Sequence, residues 1–406
     1  MIYAATTRIA EGALRLRARL SRSDSLRERL VGGAPPAAAD IWVHGASVGE
    51  LTSARPIIEA LASDLRLIVT TNSETGRDMV AGWGLSARLA PLDLPGALDR
   101  FLNAVTPALQ ITLENEFWPL RSRLLGQRGI AQAMIGARMS QRSATLWARL
   151  PGVIQPMLQR LAAVSAQDGH SEARLLQLGL PQAALLPRLD LKLLTPARIA
   201  PPEDNALRDR TLLAASTHEG EEAAVLDAWM AARREHPDLR LILATRHPQR
   251  GDEVAALIVA RGLPLARRSA GAAATTDPLL LADTLGEMDR WYAQAGICLV
   301  GGSLTDRGGH TPWEPAAHRC AILTGPHVGN FLDAYAALTE AGAARQVSAG
   351  DLAAILAALR ADPAVARRMG RAARDVLDDR TGAPGALVDR LRDLAQRPAR
   401  SDMKGR

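Results

Sequence analysis

Cysteine and aromatic residues are scarce in this chain of 406 residues, which contains two cysteines, Cys298 and Cys320, and 3% aromatic side chains. Two cysteines in separate apolar runs argue against a disulfide framework and a cysteine-based metal site, and they indicate a reducing compartment. No apolar stretch approaches the ~18 residues that span a bilayer. The N-terminus also lacks the apolar core of a secretory signal. These absences predict a cytoplasmic protein.

The length and the net charge of the chain further limit the class of protein and its partners. A chain of 406 residues is longer than a single hydrophobic core usually supports, so two domains are expected. A hydrophobic fraction of 47% is sufficient to form the cores of both domains. The net charge of +6 favours anionic partners: nucleic acid, phosphorylated substrates or an anionic membrane surface. Nucleic acid is disfavoured because no basic run is interleaved with aromatic residues.

Residues 1–39 form a basic N-terminal segment that ends in a linker at 31–39 (VGGAPPAAA). An apolar stripe at helical spacing lies beside a basic face, and it comprises Ile9, Ala13, Leu16 and Leu20. Such a helix can lie on an anionic leaflet. It can equally be a solvated helix packed on its own domain, and the sequence leaves both interpretations open.

From residue 40 onward, short apolar runs alternate with helical stretches, which predicts an α/β fold with parallel sheets. Predicted strands are 41–43, 67–70, 88–90, 109–113, 130–135, 162–165, 211–215, 239–244, 279–281, 296–300 and 321–323. A proline-rich stretch at 195–205 separates two Rossmann-like domains, predicted at 40–195 and 196–385, before a terminal helix and tail at 386–406. Ligands bind at the carboxyl ends of parallel strands, so we expect a catalytic cleft between the two domains.

A glycine-rich passage at 301–316 (GGSLTDRGGHTPWEPA) links a predicted strand to a predicted helix. Its four glycines in nine residues, which include Gly301 and Gly302, leave backbone N–H groups open to an anion. His310 belongs to the same passage, and Glu314 at the helix start is placed to accept hydrogen bonds from ribose hydroxyls. Together these features favour a nucleotide site over a plain turn.

Two acidic motifs follow predicted strands of the first domain. In HGASVGE (44–50), Ser47 and Glu50 fit a capping box, yet Glu50 can also serve as a general base. A helix N-terminus lowers the pKa of a carboxyl, so burial would have to counteract it. In ENEFWP (114–119), we expect one of Glu114 and Glu116 to be functional and the other structural.

The second domain repeats this layout in STHEGEE (216–222). Ser216 and Glu219 again fit a capping box, and the same helix start, with Ser216, Thr217 and His218, can hold a phosphate. Arg246 ends the next strand, where it can pair with a phosphate or lie on the surface. No histidine and carboxylate cluster has the spacing of a metal site.

Eight passages, in order from about residue 40 to 340, jointly resemble one family. They are HGASVGE (44–50), ENEFWP (114–119), ARMSQRS (137–143), STHEGEE (216–222), RHP (246–248), DTLGE (283–287), GGSLTDRGGHTPWEPAAH (301–318) and GPHVGNF (325–331). The chain resembles the 3-deoxy-D-manno-octulosonic acid (Kdo) transferases of Gram-negative lipid A biosynthesis.

The resemblance implies a GT-B fold, with the acceptor on the N-terminal domain and CMP-Kdo on the C-terminal domain. It implies inverting transfer to the tetraacylated disaccharide bisphosphate, lipid IVA, by a peripheral protein on the cytoplasmic face of the inner membrane. By motif position, Glu50 would be the general base, Glu114 would support the transition state, and Lys192 would match the family's lysine. The implied CMP contacts are Thr245, Arg246, Leu285, Gly286, Glu287, Thr311, Pro312, Trp313 and Glu314. No metal or other cofactor is expected, since the protein supplies the positive charge.

The sequence departs from the family pattern at three places. Thr311 replaces the usual Asn, Leu189-Asp190 stands where Gly-Asn or Gly-Ser usually precedes the lysine, and the N-terminal segment is short and arginine-rich. The last departure predicts looser, peripheral attachment. Two alternatives stay open: another GT-B nucleotide-sugar enzyme (an epimerase, or a transferase with a different donor), and a nucleotide-responsive membrane-surface protein without catalysis.

Overall fold

The computed structural model describes residues 11–18, 20, 23–272 and 277–396. The chain divides into two compact units: a first unit of Met1–Thr195 with Thr381–Arg406, and a second unit of Pro196–Arg380. The C-terminal helix therefore belongs to the first unit, whereas the sequence assigned residues up to 385 to the second domain. Among the described residues, no helix combines the length and the apolar character needed to cross a bilayer.

The first unit contains a sheet of six parallel strands in the order β3-β2-β1-β4-β5-β6. Residue Ile41 at the start of β1 pairs with Leu67 on one side and with Leu109 on the other. All of β1 and β4 is buried, as expected for strands covered on both faces. The strands are β1 Ile41–His44, β2 Leu67–Thr71, β3 Ser86–Leu89, β4 Leu109–Leu113, β5 Ala131–Ala137 and β6 Leu161–Ala166.

The helices of the first unit connect these strands and cover the sheet. Trp42 on β1 is fully buried, where its ring lies 4.6 Å from that of Phe101 and its Nε1 donates to Thr70 Oγ1. The helices are α1 Asp24–Arg29, α2 Val48–Ala62, α3 Glu74–Gly82, α4 Pro95–Val105, α5 Pro119–Gln127, α6 Gln141–Trp147, α7 Pro151–Leu158, α8 Gly169–Gln177 and α9 Leu191–Ala197. The helix Pro384–Gln396 joins their core through Leu387, Leu391 and Leu394.

The second unit contains a sheet of seven parallel strands in the order β13-β12-β11-β7-β8-β10-β9. The carboxyl ends of the central strands therefore lie at one edge of the sheet, where a Rossmann-like fold holds its ligands. These strands are β7 Thr211–Thr217, β8 Arg240–Thr245, β9 Ala266–Arg267, β10 Leu279–Ala282, β11 Ile297–Val300, β12 Ala321–Thr324 and β13 Ala344–Gln346.

Helices also flank the second sheet, and the fully buried Trp229 fills the core beside it. They are α10 Ala206–Asp209, α11 Glu221–Glu235, α12 Gly251–Val259, α13 Met288–Gln294, α14 Trp313–Ala317, α15 Leu332–Glu340, α16 Leu352–Ala361 and α17 Pro363–Thr381, followed by α18 Pro384–Gln396 of the first unit.

The predicted strands are all present, with ends that differ by at most two residues. Two strands were missed, β9 and β13, and both lie at edges of the second sheet. They are two and three residues long and largely lack buried apolar side chains, so no apolar run marks them. The α/β class and the two Rossmann-like units are confirmed.

The N-terminal basic segment is described only in part, because residues 1–10, 19, 21 and 22, and with them Ile9 of the predicted stripe, lie outside the described residues. Residues 11–18 are helical, and this helix packs through Leu14 and Ala18 on the first unit. The predicted stripe is on another face, since Leu16 is 59% exposed and Leu20 is 77% exposed.

Candidate active site

The first part of the site is the passage from β1 into α2. Ser47 is the N-cap of α2, and its Oγ accepts a hydrogen bond from Glu50 N at 3.3 Å. The Glu50 carboxylate accepts from Ala46 N at 2.8 Å and from Ser47 Oγ at 3.1 Å. The predicted cap by Ser47 is therefore confirmed, whereas the Glu50 carboxylate returns to the N–H of Ala46 and not to that of Ser47. These bonds fix the Glu50 side chain at the carboxyl end of β1.

The pKa of Glu50 is raised above its usual 4.5. Burial is the main cause, and the negative charges of Glu114 and Glu116 add to it, while the hydrogen bonds from Ala46 and Ser47 oppose it. The burial that a general base at a helix N-terminus requires is therefore present. A carboxylate with a raised pKa is a stronger base, as proton abstraction requires.

Glu114 and Glu116 follow β4, and their environments differ. Glu114 has a φ of 55°, a left-handed conformation that turns the chain out of the strand. Glu116 is hydrogen-bonded by Trp118 Nε1 at 2.5 Å and lies 3.4 Å from His44 Nε2, and these contacts lower its pKa. Burial lowers the pKa of His44 to about 4, so this imidazole is neutral at neutral pH. Glu116 is thus engaged by two neighbouring side chains, and which of the two acids is functional stays a prediction.

Sequence reasoning missed Arg121, which lies on α5 and is only 4% exposed. Its guanidinium lies 5.0 Å from the Trp42 ring and 5.5 Å from the Trp118 ring, and burial lowers its pKa to about 10. It lines a small pocket together with Glu116 and Trp118. The only sequence signal was an arginine two residues after the ENEFWP motif, and that signal does not separate a buried arginine from an exposed one.

Lys192 lies in the first turn of α9 and is exposed. Its backbone N donates to Asp190 Oδ1 at 3.0 Å. Burial raises the pKa of Asp190, and the nearby Lys192 opposes that rise. The aspartate that departs from the family pattern thus begins the helix that carries the lysine.

In the second unit, the passage after β7 differs from its prediction. Helix α11 begins at Glu221 with Gly220 as its N-cap, and Ser216 has a φ of 57°. The predicted capping box of Ser216 and Glu219 is therefore wrong, because the chain makes one more turn before the helix starts. Glu219 is exposed.

The glycine-rich loop after β11 is held by Glu221. This carboxylate, 1% exposed, accepts hydrogen bonds from the backbone N–H groups of Gly302, Ser303, Leu304 and His218 at 2.7–3.0 Å. Sequence reasoning missed its role, because an acid in the first turn of a helix usually caps only its own helix.

The glycines of the loop allow its backbone to pack closely on the end of β7, rather than leaving an open anion-binding loop. Gly301 N donates to Ala215 O at 2.8 Å, and a Cβ at Gly301 would lie 2.3 Å from Ser216 O. Since the N–H of Gly302 is bonded to Glu221, the prediction that loop N–H groups stay free for an anion is wrong for both glycines. Side chains at this edge can also supply donors to an anion.

Such side chains surround the loop. His218 Nε2 lies 2.9 Å from His310 Nε2, and the two nearly parallel rings lie side by side with centroids 5.1 Å apart. His247 meets the His218 ring edge-on at 5.7 Å, and Arg246 beside it is exposed. Burial is the main cause of the lowered pKa of both His218 and His310. The hydroxyls of Thr217 and Thr245 are buried and have no hydrogen-bond partner among the described residues.

The loop after β10 carries the predicted residues Leu285, Gly286 and Glu287. Leu285 is 77% exposed, so it is open to a planar ligand such as a base. Glu287 is paired with Arg268 at 2.9–3.0 Å and with the Thr284 hydroxyl. These two partners lower the pKa of Glu287 to about 2.

Helix α14 begins beyond the glycine-rich loop. Pro312 is its N-cap, Trp313 is buried, and Thr311 Oγ1 accepts from Trp313 N at 3.4 Å. Burial, with a smaller contribution from Asp289, raises the pKa of Glu314. A half-buried carboxylate in the first helical turn can accept hydrogen bonds from two neighbouring hydroxyls.

The second unit therefore brings the predicted residues of four strand ends (β7, β8, β10 and β11) to one edge of its sheet, and the first unit does the same for Glu50 and Glu114. In the part of the chain that the structure describes, no group of three or more histidine, cysteine, aspartate or glutamate side chains is arranged to hold a metal ion.

Comparison with known proteins agrees with this arrangement. The family model described as 3-deoxy-D-manno-octulosonic-acid transferase (kdotransferase) matches residues 15–194. A 3-deoxy-D-manno-octulosonic acid transferase of Haemophilus influenzae is 34% identical over 378 residues, which cover 89% of this chain and 88% of the relative. The transferase of the same name from Bordetella pertussis is 35% identical, with 88% of each chain covered.

The fold has distant likenesses as well. The UDP-GlcNAc 2-epimerase of Neisseria meningitidis, solved with UDP-GlcNAc, matches with a TM-score of 0.57 at 12% identity, covering 87% of this chain and 99% of the epimerase. At that identity the likeness shows the GT-B fold alone. With the two relatives that match along almost the whole chain, it follows that this protein belongs to the 3-deoxy-D-manno-octulosonic acid transferase family.

Proposed function

We propose that the chain is an inverting glycosyltransferase that moves Kdo from CMP-Kdo to a hydroxyl of lipid IVA, with Glu50 as the general base. The observation that carries the proposal is the Glu50 carboxylate, held at a strand end by Ala46 N–H and raised in pKa by burial. Glu50 takes the proton of the acceptor hydroxyl as that oxygen attacks the anomeric carbon from the face opposite the leaving phosphate. The electron pair of the broken bond stays on the phosphate oxygen of CMP.

The remaining residues of the first unit support this step electrostatically. Glu114 lies close enough for its negative charge to raise the pKa of Glu50, and we assign it to stabilising the positive charge that develops on the sugar in the transition state. Exposed Lys192 is assigned to the anionic groups of the substrates.

CMP is assigned to the second unit. Arg246 and the Thr245 hydroxyl hold its phosphate, Glu314 holds the ribose hydroxyls, and Leu285 to Glu287 lie against the base. Thr311, Pro312 and Trp313 position Glu314 by forming the start of α14. The transfer needs no divalent metal in this scheme, because cationic side chains stabilise the departing phosphate.

We assign the protein to the cytoplasmic face of the inner membrane as a peripheral protein. Two exposed apolar groups on the first unit support this assignment. One is formed by Leu16 and Leu20 beside exposed arginines of the N-terminal segment. The second lies on α6 and the start of α7, where Leu146 and Leu150 are each 53% exposed and Val153 is 37% exposed. Apolar side chains flanked by arginines match the interface of an anionic leaflet.

The catalytic assignment is tested with purified protein, CMP-Kdo and lipid IVA. Mass spectrometry should detect the acceptor with added Kdo, and CMP should be released. Glu50→Ala should lower the rate by at least about 10²–10⁴-fold, the usual contribution of a general base. Glu59→Ala on the same helix is the matched control, since Glu59 lies nine residues beyond Glu50 and pairs with Arg55 at 2.7 Å. Turnover of Glu50→Ala at the rate of the control would rule out the base.

Membrane attachment is tested by flotation with vesicles of phosphatidylglycerol or of phosphatidylcholine alone. The double variant Leu146→Ser/Leu150→Ser should float less with the anionic vesicles than the wild type does. Leu332→Ser is the control, because Leu332 is 62% exposed on the second unit. Equal flotation of all three proteins would contradict the attachment through α6.

A further inference from the structure

Two imidazoles meet in the second unit at the carboxyl end of its sheet. His218 follows β7 and His310 ends the glycine-rich loop, and their Nε2 atoms lie 2.9 Å apart. The rings are nearly parallel, with 12° between their planes. We call these two residues the imidazole pair.

The distance between the Nε2 atoms limits the protons that the pair can hold. A nitrogen–nitrogen contact of this length is a hydrogen bond with one proton between the atoms. In the neutral pair, one ring donates through Nε2 and keeps a lone pair on Nδ1, and the other ring accepts. One extra proton can enter at that Nδ1 without breaking the bond. A further proton would place two N–H groups against each other, so the pair holds one positive charge at most.

The charges that face the pair keep it neutral when no anion is bound. Burial is the largest cause of the lowered pKa of each ring, and Arg246 and His247 act in the same direction. Arg307 on the glycine-rich loop adds to the effect at His218. Glu221 is the facing acid, and it opposes these effects, although four backbone N–H groups already engage its carboxylate.

We propose that a phosphate bound at this edge draws one proton from solvent onto the imidazole pair, so that binding of the nucleotide monophosphate takes up a proton. This inference rests on the proposed function, which assigns CMP to the second unit. The charged pair presents N–H donors from both Nδ1 atoms, at an edge where the loop N–H groups of Gly302, Ser303 and Leu304 already bind Glu221. Proton uptake thus supplies a cation beside three loop N–H groups that are already bonded to Glu221.

The transfer reaction itself produces a negative charge that the proton on the imidazole pair can balance. The donor is a phosphodiester with one negative charge, and the leaving group is a phosphate monoester that acquires a second. When the bond between the anomeric carbon and the phosphate oxygen breaks, the electron pair stays on that oxygen, and the acceptor's proton goes to Glu50. The proton on the imidazole pair comes from solvent and balances the charge that the phosphate gains. An interaction that strengthens as this charge develops lowers the barrier.

The sign of the pH dependence follows from linkage. At a pH above the lowered pKa of the free pair, the empty site is neutral and the occupied site is protonated. CMP affinity should therefore fall as the pH rises, by up to about tenfold per pH unit for one linked proton. The double variant His218→Gln/His310→Gln removes both imidazoles and with them the linked proton, so its affinity should depend on pH less steeply.

The test is calorimetric titration of the full chain with CMP at pH 7.5 in three buffers of different ionisation enthalpy. The slope of the observed enthalpy against buffer ionisation enthalpy gives the protons taken up. We expect a value approaching one for the wild type and for the control His170→Gln, whose imidazole is exposed in the first unit. For the double variant His218→Gln/His310→Gln, which has neither imidazole, we expect a value near zero. The double variant His218→Asn/His310→Asn replaces it if it fails to fold by circular dichroism.

Each outcome decides a separate point. CMP binding without proton uptake by the wild type overturns this inference and leaves the nucleotide assignment standing. Equal uptake in the wild type and the double variant also overturns it, because the proton then resides on the phosphate itself or on another group. Absence of CMP binding overturns the proposed function and this inference with it.

Discussion

Glu221→Gln is the substitution that best tests how the second unit is held together. The carboxylate of Glu221 accepts through both oxygens: Oε2 from the backbone N–H groups of His218 and Gly302, and Oε1 from those of Ser303 and Leu304. The glycine-rich loop and the start of α11 are thus joined by one side chain. An amide has the same shape, but only one of its two terminal atoms accepts hydrogen bonds.

The magnitude follows from this geometry. Whichever way the amide is oriented, its NH₂ group faces two backbone donors, so two of the four hydrogen bonds are lost. Hydrogen bonds to a charged acceptor contribute about 1.5–3 kcal/mol each, and a buried donor left without a partner costs about 1–3 kcal/mol. Because Glu221 is 1% exposed, water cannot readily replace the lost acceptor. We expect Glu221→Gln to lower the free energy of unfolding by about 3–6 kcal/mol, a large share of the 5–15 kcal/mol typical of a domain.

The assay is thermal and urea unfolding of the full chain, followed by circular dichroism and calorimetry. With two units, two transitions are expected, and the substitution should shift the transition of the second unit alone. Glu219→Gln is the matched control: it makes the same chemical change two residues earlier at an exposed position, and it should stay within about 0.5 kcal/mol of the wild type. If the unfolding transitions of Glu221→Gln and the control coincide, the loop does not depend on this carboxylate, and the reasoning fails.

Three further predictions concern other parts of the molecule. Glu50→Gln should abolish transfer, yet it should melt no lower than the wild type at pH 7. The folded-state pKa of Glu50 is raised, so its ionised form lowers the stability of the fold at a pH above that pKa. The transfer rate of the wild type should accordingly fall on acidification, at a pH above the usual 4.5. Arg208→Met should lower the free energy of unfolding, measured with urea, by at least about 2 kcal/mol. The reason is that this guanidinium is 2% exposed and donates to four backbone carbonyls. A decrease of less than about 0.5 kcal/mol would contradict this role. Gly301→Ala should lose CMP binding and lower the melting temperature, because its Cβ would meet Ser216 O at 2.3 Å; wild-type binding by this variant would show that the loop can shift.

Local patterns in the sequence were sufficient to predict the secondary-structure elements and the part of the site that lies in the first unit. The strands of a parallel sheet are buried on both faces, so they appear as short apolar runs such as Leu109–Leu113, and their ends can be read directly. The cap of α2 by Ser47 could also be predicted, because its hydrogen bond from Glu50 N joins residues three positions apart. The edge strand β13 was not readable, since a three-residue strand with two exposed side chains has no apolar pattern.

The other half of the site depends on contacts between residues far apart in the chain. Glu221 bonds a loop about 80 residues away, and His218 and His310 are separated by 92 residues. Arg121 is buried because two tryptophan rings flank it, one of them on β1. The same residue types at the same sequence positions would be ordinary surface groups in another packing.

The sequence alone therefore determined the alternation of strands and helices, the two Rossmann-like units and the family motifs, because these depend on local periodicity and composition. The tertiary structure alone decided which donors and acceptors are already occupied: the loop N–H groups by Glu221, and the His218 ring by His310. Burial and charge act through space rather than along the chain, so the pKa of Glu50 and the protonation of the imidazole pair were fixed only when distant residues came together.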